Sequence, residues 1–251
     1  MSSLFFEKLT DACHDLLLKD KSIYSYLQDR GLKENTIKSY KLGSFPKDLR
    51  NLFKYVHPEE LKKQNIIWQA DKSPFKLFPV VIPIRNIEGQ SIAIGCRTLL
   101  DDSKRDELGI PKYRNSNYSK TSYLFGLDKA YSAIREKNQV YVVEGYFDVI
   151  SAHQNNIMNV VATCGTMFSM RQLSTLSRYT NNICLLFDND APGRNSAKRV
   201  MDKMNSFNIG VNLTSLFTPE NYKDLDEYLQ KNRNMDIFKN SMIEEKGICY
   251  A

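Results

Sequence analysis

The sequence predicts an α/β protein in which a doubly wound parallel sheet follows a mixed α+β region. Two short apolar runs, 140–143 and 183–187, are rich in β-branched and aromatic residues and are typical of buried parallel strands. From residue 140 onward such runs alternate with helix-like segments, as in doubly wound folds. Both runs end in acidic residues, so the sequence also predicts a carboxylate cluster at the sheet edge where open α/β folds bind ligands.

The first part of the chain is predicted to open with helices. Their expected spans are 4–18, 22–42, 48–53 and 58–63. Two β-rich runs, 78–84 and 91–97, follow, and the segment between them has the turn chemistry of an antiparallel hairpin. The polar stretch 101–123 is expected to be an exposed loop.

A helix at 127–137 precedes the alternating part of the chain. The expected strands and helices then lie at 140–143, 146–155, 159–162, 169–179, 183–187, 193–206, 211–217 and 224–231. We therefore expect a basic N-terminal subdomain at 1–137, an α/β domain at 138–231 and a short helical tail at 232–251.

Charge separates the two main parts. Residues 1–137 contain 24 Lys and Arg against 17 Asp and Glu, whereas residues 138–251 contain 11 against 12. The net charge of +6 therefore comes from the first part alone. One interpretation is that this part binds a polyanion beside a region that binds a metal ion, and a solvated Lys-rich surface explains the charge equally well.

Several classes of protein are disfavoured by what the sequence lacks. It has no apolar run long enough to cross a membrane and no apolar leader, so we expect a cytoplasmic location and no membrane partner. The five cysteines include no C-x-x-C pair, which predicts reduced, mostly buried thiols and no zinc site. The absence of G-x-x-x-x-G-K-[ST] and G-x-G-x-x-G motifs argues against a P-loop NTPase and a Rossmann dehydrogenase.

The acidic residues at the strand ends predict a metal site. Glu144 ends the first apolar run, and Asp188 and Asp190, spaced i and i+2, follow the second. Carboxylates gathered at one edge repel one another unless a cation or a proton lies between them, and oxygen ligands favour Mg²⁺ or Mn²⁺. Asp224 and Asp226 could ligate a second metal, or could cap the last helix and occupy its first turn.

Basic residues supply candidate ligands for phosphate. Arg194 lies near the start of the helix that follows Asp190, where it could face a metal-bound phosphate. In the first part, cationic groups with interleaved tyrosines suit a single-stranded nucleic acid, whose phosphates attract charge and whose bases stack on rings. This basic set consists of Arg85, Arg97, Lys112, Tyr113, Arg114 and Lys120.

Short motifs along the chain form an ordered set that includes Ile82-Pro-Ile-Arg85, Pro111-Lys-Tyr-Arg-Asn115-Ser116, Val142-Val-Glu144-Gly-Tyr-Phe-Asp148 and Asp224-Leu-Asp226-Glu-Tyr-Leu229. In content and order they resemble the catalytic core of DnaG-type DNA primases. The second part resembles the toprim domain, in which a strand-end Glu and a later Asp-x-Asp bind Mg²⁺. The resemblance implies a basic subdomain followed by a doubly wound toprim α/β domain.

This resemblance implies an enzyme that makes short RNA primers on single-stranded DNA from ribonucleoside triphosphates by metal-dependent nucleotidyl transfer. The residues that match its acidic centre are Glu144, Asp188, Asp190, Asp148, Asp224 and Asp226. Those that match positions of template or nucleotide contact are Arg97, Lys112 and Asn115. The family's Asp-Gly-Asp reads Asp188-Asn189-Asp190 here, and Cys96 replaces a glycine.

The resemblance also implies partners. Primases of this family normally carry a zinc-binding domain before the core and a helicase-binding domain after it, so a separate zinc-binding protein and a replicative helicase are candidate partners. Two rival functions stay open at this point. One is a toprim nuclease that uses the same acidic centre, and the other is a non-catalytic module that binds nucleic acid or a helicase.

Overall fold

The computed structural model describes residues 2–165, 167–205, 210–232 and 243–246. The chain falls into two units, Met1–Tyr118 and Ser119–Ala251, and each unit has its own sheet.

An antiparallel sheet with flanking helices forms the first unit. The helices are α1 (Ser2–Leu17), α2 (Lys21–Asp29), α3 (Glu34–Tyr40), α4 (Pro58–Lys63) and α5 (Asp102–Leu108). The strands are β1 (Gly43–Ser44), β2 (Val80–Arg85), β3 (Ser91–Arg97) and β4 (Tyr113–Asn115), which pair in that order. Strands β2 and β3 form the predicted hairpin, with Val80 opposite Arg97 and Arg85 opposite Ser91.

Three local predictions in the first unit are wrong. The single helix expected over 22–42 is two helices, because Gly31 adopts a left-handed φ of 82° between them. The segment 48–53 forms only a short 3₁₀ helix, Leu49–Asn51. The stretch 101–123 contains α5 and β4 rather than a loop, since Asp101 caps α5 by accepting a hydrogen bond from the Lys104 N–H (2.8 Å) and Gly109 ends it at a φ of 62°.

The second unit confirms the predicted doubly wound α/β fold. Its helices are α6 (Leu127–Lys137), α7 (Tyr146–Gln154), α8 (Met170–Leu176), α9 (Ala191–Asn205) and α10 (Leu225–Lys231). Its strands are β5 (Val140–Val143), β6 (Val160–Ala162), β7 (Asn182–Leu186), β8 (Asn212–Phe217) and β9 (Ile243–Lys246). They lie in the order β6-β5-β7-β8-β9, and all neighbours are parallel except β8 and β9.

The strand order creates a switch point between β5 and β7. From β5 the chain passes through α7 to β6 on one side, and from β7 it passes through α9 to β8 on the other. In open α/β sheets the crevice at such a point, beyond the carboxyl ends of the strands, is where ligands bind. The N-termini of α7 and α9 lie at this edge, so their dipoles favour negative charge there.

The helical tail expected at 232–251 is wrong where the structure describes it. Residues Ile243–Lys246 form the edge strand β9, antiparallel to β8, with Phe217 opposite Ile243. Pairing with the exposed edge of β8 satisfies backbone groups that a helix at this position would leave open. The remainder of the predicted tail after Asn232 lies outside the described residues.

The unit boundary after Tyr118 precedes the boundary expected after residue 137. The physical reason is that α6 contributes Leu127, Ala130 and Ile134 to the core of the second unit, where they pack with residues of β5 and β6. The assignment of separate functions to 1–137 and 138–231 stays a prediction.

The described cysteines agree with the expectation of buried, reduced thiols. Cys13, Cys96, Cys164 and Cys184 are buried and form no disulfide, and burial raises the pKa of Cys13 to about 12. In the described part of the chain, no helix is long and apolar enough to cross a membrane.

His153 on α7 is a buried histidine whose protonation opposes folding. Its Nε2 lies 2.9 Å from the carbonyl oxygen of Val160, and burial lowers its pKa from 6.5 to about 4. The unfolded chain therefore binds the proton first, so this contribution to stability is complete above pH 6.5 and is lost as the pH falls to about 4. We expect the free energy of unfolding to fall by up to about 3 kcal/mol over this range.

Urea denaturation of the wild type and of His153→Gln at several pH values tests this prediction. The glutamine amide can still donate to the Val160 carbonyl but does not titrate. The stability difference between the two proteins should shrink as the pH falls. A difference that is constant from pH 7 to pH 4 would show that His153 does not contribute.

Candidate active site

Glu144 and Asp188 lie side by side at the carboxyl ends of β5 and β7. The two strands end at about the same level of the sheet, because Val142 on β5 pairs with Leu185 on β7. The Oε1 atom of Glu144 accepts a hydrogen bond from the backbone N–H of Asp188 (3.2 Å), and both side chains are partly buried. The structure thus brings together two of the predicted acidic residues.

Asp190 and Lys223 extend this acidic edge. One oxygen of Asp190 accepts a hydrogen bond from the Gly193 N–H (2.9 Å) in the first turn of α9, and the other lies 3.5 Å from the Nζ of Lys223. Burial alone would lower the pKa of Lys223, but the charges of Asp188, Asp190 and Asp224 raise it overall. Lys223 therefore neutralises part of the carboxylate charge at this edge.

Asp148 and Asp226 form a buried pair behind the edge. The carboxylate of Asp148, only 7% exposed, accepts hydrogen bonds from the backbone N–H groups of Gly145 (3.1 Å) and Asp226 (2.9 Å). The Ser151 hydroxyl donates to Asp226. Burial, followed by the charges of Asp224, Asp226 and Asp188, raises the pKa of Asp148 well above its usual value. These contacts join α7 to α10 and support the edge from behind.

Asp224 takes the capping role that the sequence left open, and its role as a metal ligand stays a prediction. Its side chain caps α10 by accepting a hydrogen bond from the Glu227 N–H (2.8 Å). Its charge also raises the pKa values of Asp188 and Asp148, so it lies close enough to take part in the acidic centre.

Burial and charge repulsion both raise the pKa values of the carboxylates at this edge. Burial, together with the charges of Glu144, Asp224 and Asp190, raises the pKa of Asp188 from 3.8 to about 7, while the charge of Lys223 opposes this shift. Burial likewise raises the pKa of Glu144. Among the described residues, no three His, Cys, Asp or Glu side chains are arranged as they stand to hold a metal ion. The donor set nevertheless fits a hard divalent cation, because it consists of adjacent carboxylate oxygens whose repulsion a cation would offset.

Asn189, between the two aspartates, fixes the loop that carries them. Its Nδ2 donates to the Thr218 carbonyl (2.7 Å), its Oδ1 accepts from the Arg194 guanidinium (2.5 Å), and its N–H donates to the Lys223 carbonyl (2.6 Å). The Arg194 guanidinium also lies 4.6 Å from the centroid of the Phe217 ring. The predicted phosphate ligand Arg194 is thus held against the loop, and its contact with phosphate stays a prediction.

A cavity of about 220 Å³ opens beside Glu144 in the second unit. It is lined by Glu144, Thr163, Gly165, Met167, Phe187 and Ser196. Gly165 has a left-handed φ of 86°, and the Cys164 N–H donates to the Glu144 carbonyl (3.0 Å), so the loop after β6 forms one wall of this cavity.

Most of the predicted nucleic-acid ligands lie at one end of the antiparallel sheet in the first unit. Arg97 pairs with Tyr113 across β3 and β4, its Nη1 donates to the Tyr113 hydroxyl (2.8 Å), and its guanidinium lies 5.4 Å from the centroid of that ring. Lys112 precedes β4 and is exposed, and Asn115 ends it. Their roles in binding stay predictions.

The structure does not bring Arg85 to this group. Arg85 ends β2 opposite Ser91, whereas Arg97 lies opposite Val80 at the other end of the hairpin, which is a separation of roughly 16 Å along the strands. Its Nη2 donates to the Tyr40 carbonyl (3.4 Å). Lys120, assigned with the basic set by sequence, belongs to the second unit, where burial raises the pKa of Cys164 and the charge of Lys120 opposes that shift.

Comparison with known proteins agrees with this geometry. The family model described as the N-terminal domain of the DNA primase catalytic core matches residues 13–131, and the Toprim-like model matches residues 141–229. The crystal structure of a DNA primase domain from Pseudomonas aeruginosa is 30% identical, has a TM-score of 0.75, and aligns with 89% of this chain over 73% of its own length. The chain belongs to the family of DnaG-type primase catalytic cores.

Three further relatives show how much of a primase the chain represents. The structure of a DnaG primase catalytic domain bound to ssDNA is 27% identical in sequence to this chain and has a TM-score of 0.80. The alignment covers 96% of this chain and 79% of that domain's chain. The DNA primase of Synechococcus elongatus is 34% identical over 227 residues, which are 83% of this chain. The chain spans only 32% of that protein and 45% of the Aquifex aeolicus DNA primase.

Two contributors to this DnaG-type site escaped sequence analysis. Lys223 lies directly before the Asp224-Leu-Asp226 motif, so its charge next to three acids was the available signal. The second contributor, Asn189, had no such signal in the sequence. Its partner Thr218 is distant in sequence and accepts the hydrogen bond through its backbone carbonyl.

Proposed function

We propose that this chain is the catalytic core of a primase that makes short RNA primers on single-stranded DNA from ribonucleoside triphosphates by nucleotidyl transfer. The observation that carries the proposal is that Glu144 and Asp188 meet at the switch point of a toprim-type sheet, with Asp190 on the same loop as Asp188. Membership of the DnaG family supports the same reaction, and favours it over the nuclease and the non-catalytic module.

The cofactor that we propose is Mg²⁺ or Mn²⁺. Toprim primase cores are metal-dependent in general. Glu144, Asp188 and Asp190 would hold the ion, with Asp224 and the buried pair Asp148 and Asp226 supporting them. A bound divalent cation would neutralise the triphosphate and align the primer 3′-hydroxyl for in-line attack.

Further residues near the acidic edge have proposed roles in binding the nucleotide and the cation. Lys223, which already contacts Asp190, is placed to balance negative charge when a triphosphate arrives. The cavity beside Glu144 is adjacent to the acidic edge and offers room for part of the nucleotide. Asp188, with its pKa raised to about 7, would ionise fully once a cation offsets the neighbouring carboxylates.

The template is proposed to bind the first unit. Arg97, Lys112, Tyr113 and Asn115 combine charge, an aromatic ring and an amide at one sheet end, which suits phosphate contacts that are largely independent of sequence. Support comes from a DnaG primase catalytic domain that was solved bound to ssDNA. Arg85 and Arg194 would contribute less, since both are engaged in contacts within their own units. A zinc-binding protein and a replicative helicase are further proposed partners.

A primer-synthesis assay tests the proposed function. The protein is incubated with a single-stranded DNA template and labelled ribonucleotides, with Mg²⁺, with Mn²⁺ and with EDTA. We expect short labelled RNA with either metal and none with EDTA. Shortened template without labelled RNA would instead indicate a nuclease, and binding of DNA without any metal-dependent product would indicate a binding module.

A further inference from the structure

Trp68 is the sole tryptophan of the chain, and its side chain is 60% exposed. It lies on a turn between α4 and β2 that is anchored on both sides. Ile66 and Ile67 directly before it are buried, and its own N–H donates to the Lys72 carbonyl (2.8 Å). The Ser73 hydroxyl donates to the Ile66 carbonyl (2.6 Å). The turn therefore presents a large aromatic ring to solvent from a fixed base, although burial of such a ring would stabilise the fold.

The turn leads to the same end of the sheet as the proposed template ligands. It continues through Phe75 and Phe78, both buried, into β2, whose first residue Val80 lies opposite Arg97. The Arg114 guanidinium on β4 lies 5.3 Å from the centroid of the Phe78 ring, which joins this segment to the strand that carries Tyr113. The segment that follows Trp68 thus reaches the same end of the sheet as the Arg97–Tyr113 pair.

The turn and the end of α4 before it carry exposed charges of both signs. Lys63 and Lys72 are exposed, as is Asp71, and within the described residues neither lysine forms a salt bridge. An exposed ring beside ammonium groups matches the chemistry of single-stranded nucleic acid, whose bases stack on aromatic side chains and whose phosphates attract cations. At the neighbouring strand ends, Tyr113 supplies an aromatic ring and Arg97 a cation.

We propose that Trp68 is a base-stacking platform that extends the single-stranded DNA surface of the first unit beyond Arg97, Lys112 and Tyr113. This inference rests on the proposed function, because it takes the template as its ligand. It adds a specific contact that neither the motifs nor the acidic centre predict. A stacked base also gives the template a fixed position without reading its sequence.

Because Trp68 is the only tryptophan, its fluorescence reports on this one site. The full chain is titrated with a dye-labelled oligothymidylate and with an unlabelled one, so that anisotropy measures binding and Trp68 emission measures stacking. A backbone of equal length without bases provides the comparison for charge alone. The variants are Trp68→Ala, Trp68→Phe and, as a matched exposed apolar control directly after α1, Leu18→Ala, whose side chain is 54% exposed.

We expect the oligothymidylate to quench Trp68 emission and the base-free backbone to leave it nearly unchanged. Trp68→Ala should weaken oligonucleotide binding by about 5- to 50-fold, whereas Trp68→Phe and Leu18→Ala should stay within about threefold of the wild type. Normal binding by anisotropy with unchanged emission, or equal quenching by the base-free backbone, would overturn the stacking role and leave the proposed function intact. Loss of binding in every protein, the wild type included, would overturn both.

Discussion

Asp188→Asn should abolish primer synthesis while leaving single-stranded DNA binding almost unchanged. The amide keeps the shape of the side chain but removes the charge that would hold the cation, so we expect the rate to fall by at least about 100-fold. The same result is expected for Glu144→Gln, whose partner is the backbone N–H of Asp188. Because the proposed template ligands lie in the first unit, the affinity for DNA should stay within about twofold of the wild type.

The same variant should be more stable than the wild type in the absence of metal. Burial and the neighbouring carboxylates raise the pKa of Asp188 from 3.8 to about 7, so the unfolded chain loses this proton first. Stability therefore falls as the pH rises from 3.8 to about 7, and the loss is complete above pH 7. Asp188→Asn removes this repulsion, and we expect a gain of about 1–2 kcal/mol at pH 8 after allowance for solvent screening. At pH 4, where Asp188 is protonated in the fold, the gain should be small.

Asp202→Asn provides the matched control, since Asp202 is an exposed carboxylate on α9 in the same unit. It should alter neither primer synthesis nor stability. Gel-resolved primer synthesis, anisotropy with labelled DNA and thermal unfolding at both pH values measure the three effects. Primer synthesis by Asp188→Asn at the wild-type rate would remove this carboxylate from the proposed metal site.

Local pattern was sufficient to predict the central strands and the position of the acids. Runs of β-branched residues made 140–143 recognisable, and β5 occupies the same four positions. Since Glu144 and Asp188 follow parallel neighbours, their meeting was a consequence of topology rather than of any single motif. The doubly wound order, confirmed by the structure, places both residues at the switch point.

Contacts between distant segments could not be read in the same way. The capped helix α5 contains no buried residue, so its hydrophobic pattern carried no signal and a loop was expected. Likewise, the hydrogen bond from Asn189 to the Thr218 carbonyl depends on how β7 and β8 end relative to each other. The separation of Arg85 from Arg97, by contrast, was implied by the predicted hairpin, because Arg85 lies at its turn end and Arg97 at its open end.

Gly193→Ala should be the most destabilising single methyl addition at the acidic edge. A Cβ atom at this position would lie 2.2 Å from the Asp188 carbonyl oxygen and 2.9 Å from its carbonyl carbon. Both are backbone atoms that cannot rotate away, so either the loop or the first turn of α9 must move. Alanine normally stabilises a helix relative to glycine by up to about 1 kcal/mol, and the steric clash reverses this sign. We expect a net loss of about 3 kcal/mol in the free energy of unfolding.

The displacement should also reduce primer synthesis, because the carbonyl that must move belongs to a proposed metal ligand. Gly193 further donates its N–H to the Asp190 carboxylate (2.9 Å), so both aspartates depend on this close approach. Gly210→Ala is the control, since no atom of the residues that the structure describes lies within 4 Å of the Cβ position there. The stability of this variant should change by less than about 0.5 kcal/mol. Urea denaturation compares the two variants. Equal free energies of unfolding for the two variants would mean that the loop moves without loss of stability. The fixed geometry inferred for Asp188 and Asp190 would then be wrong.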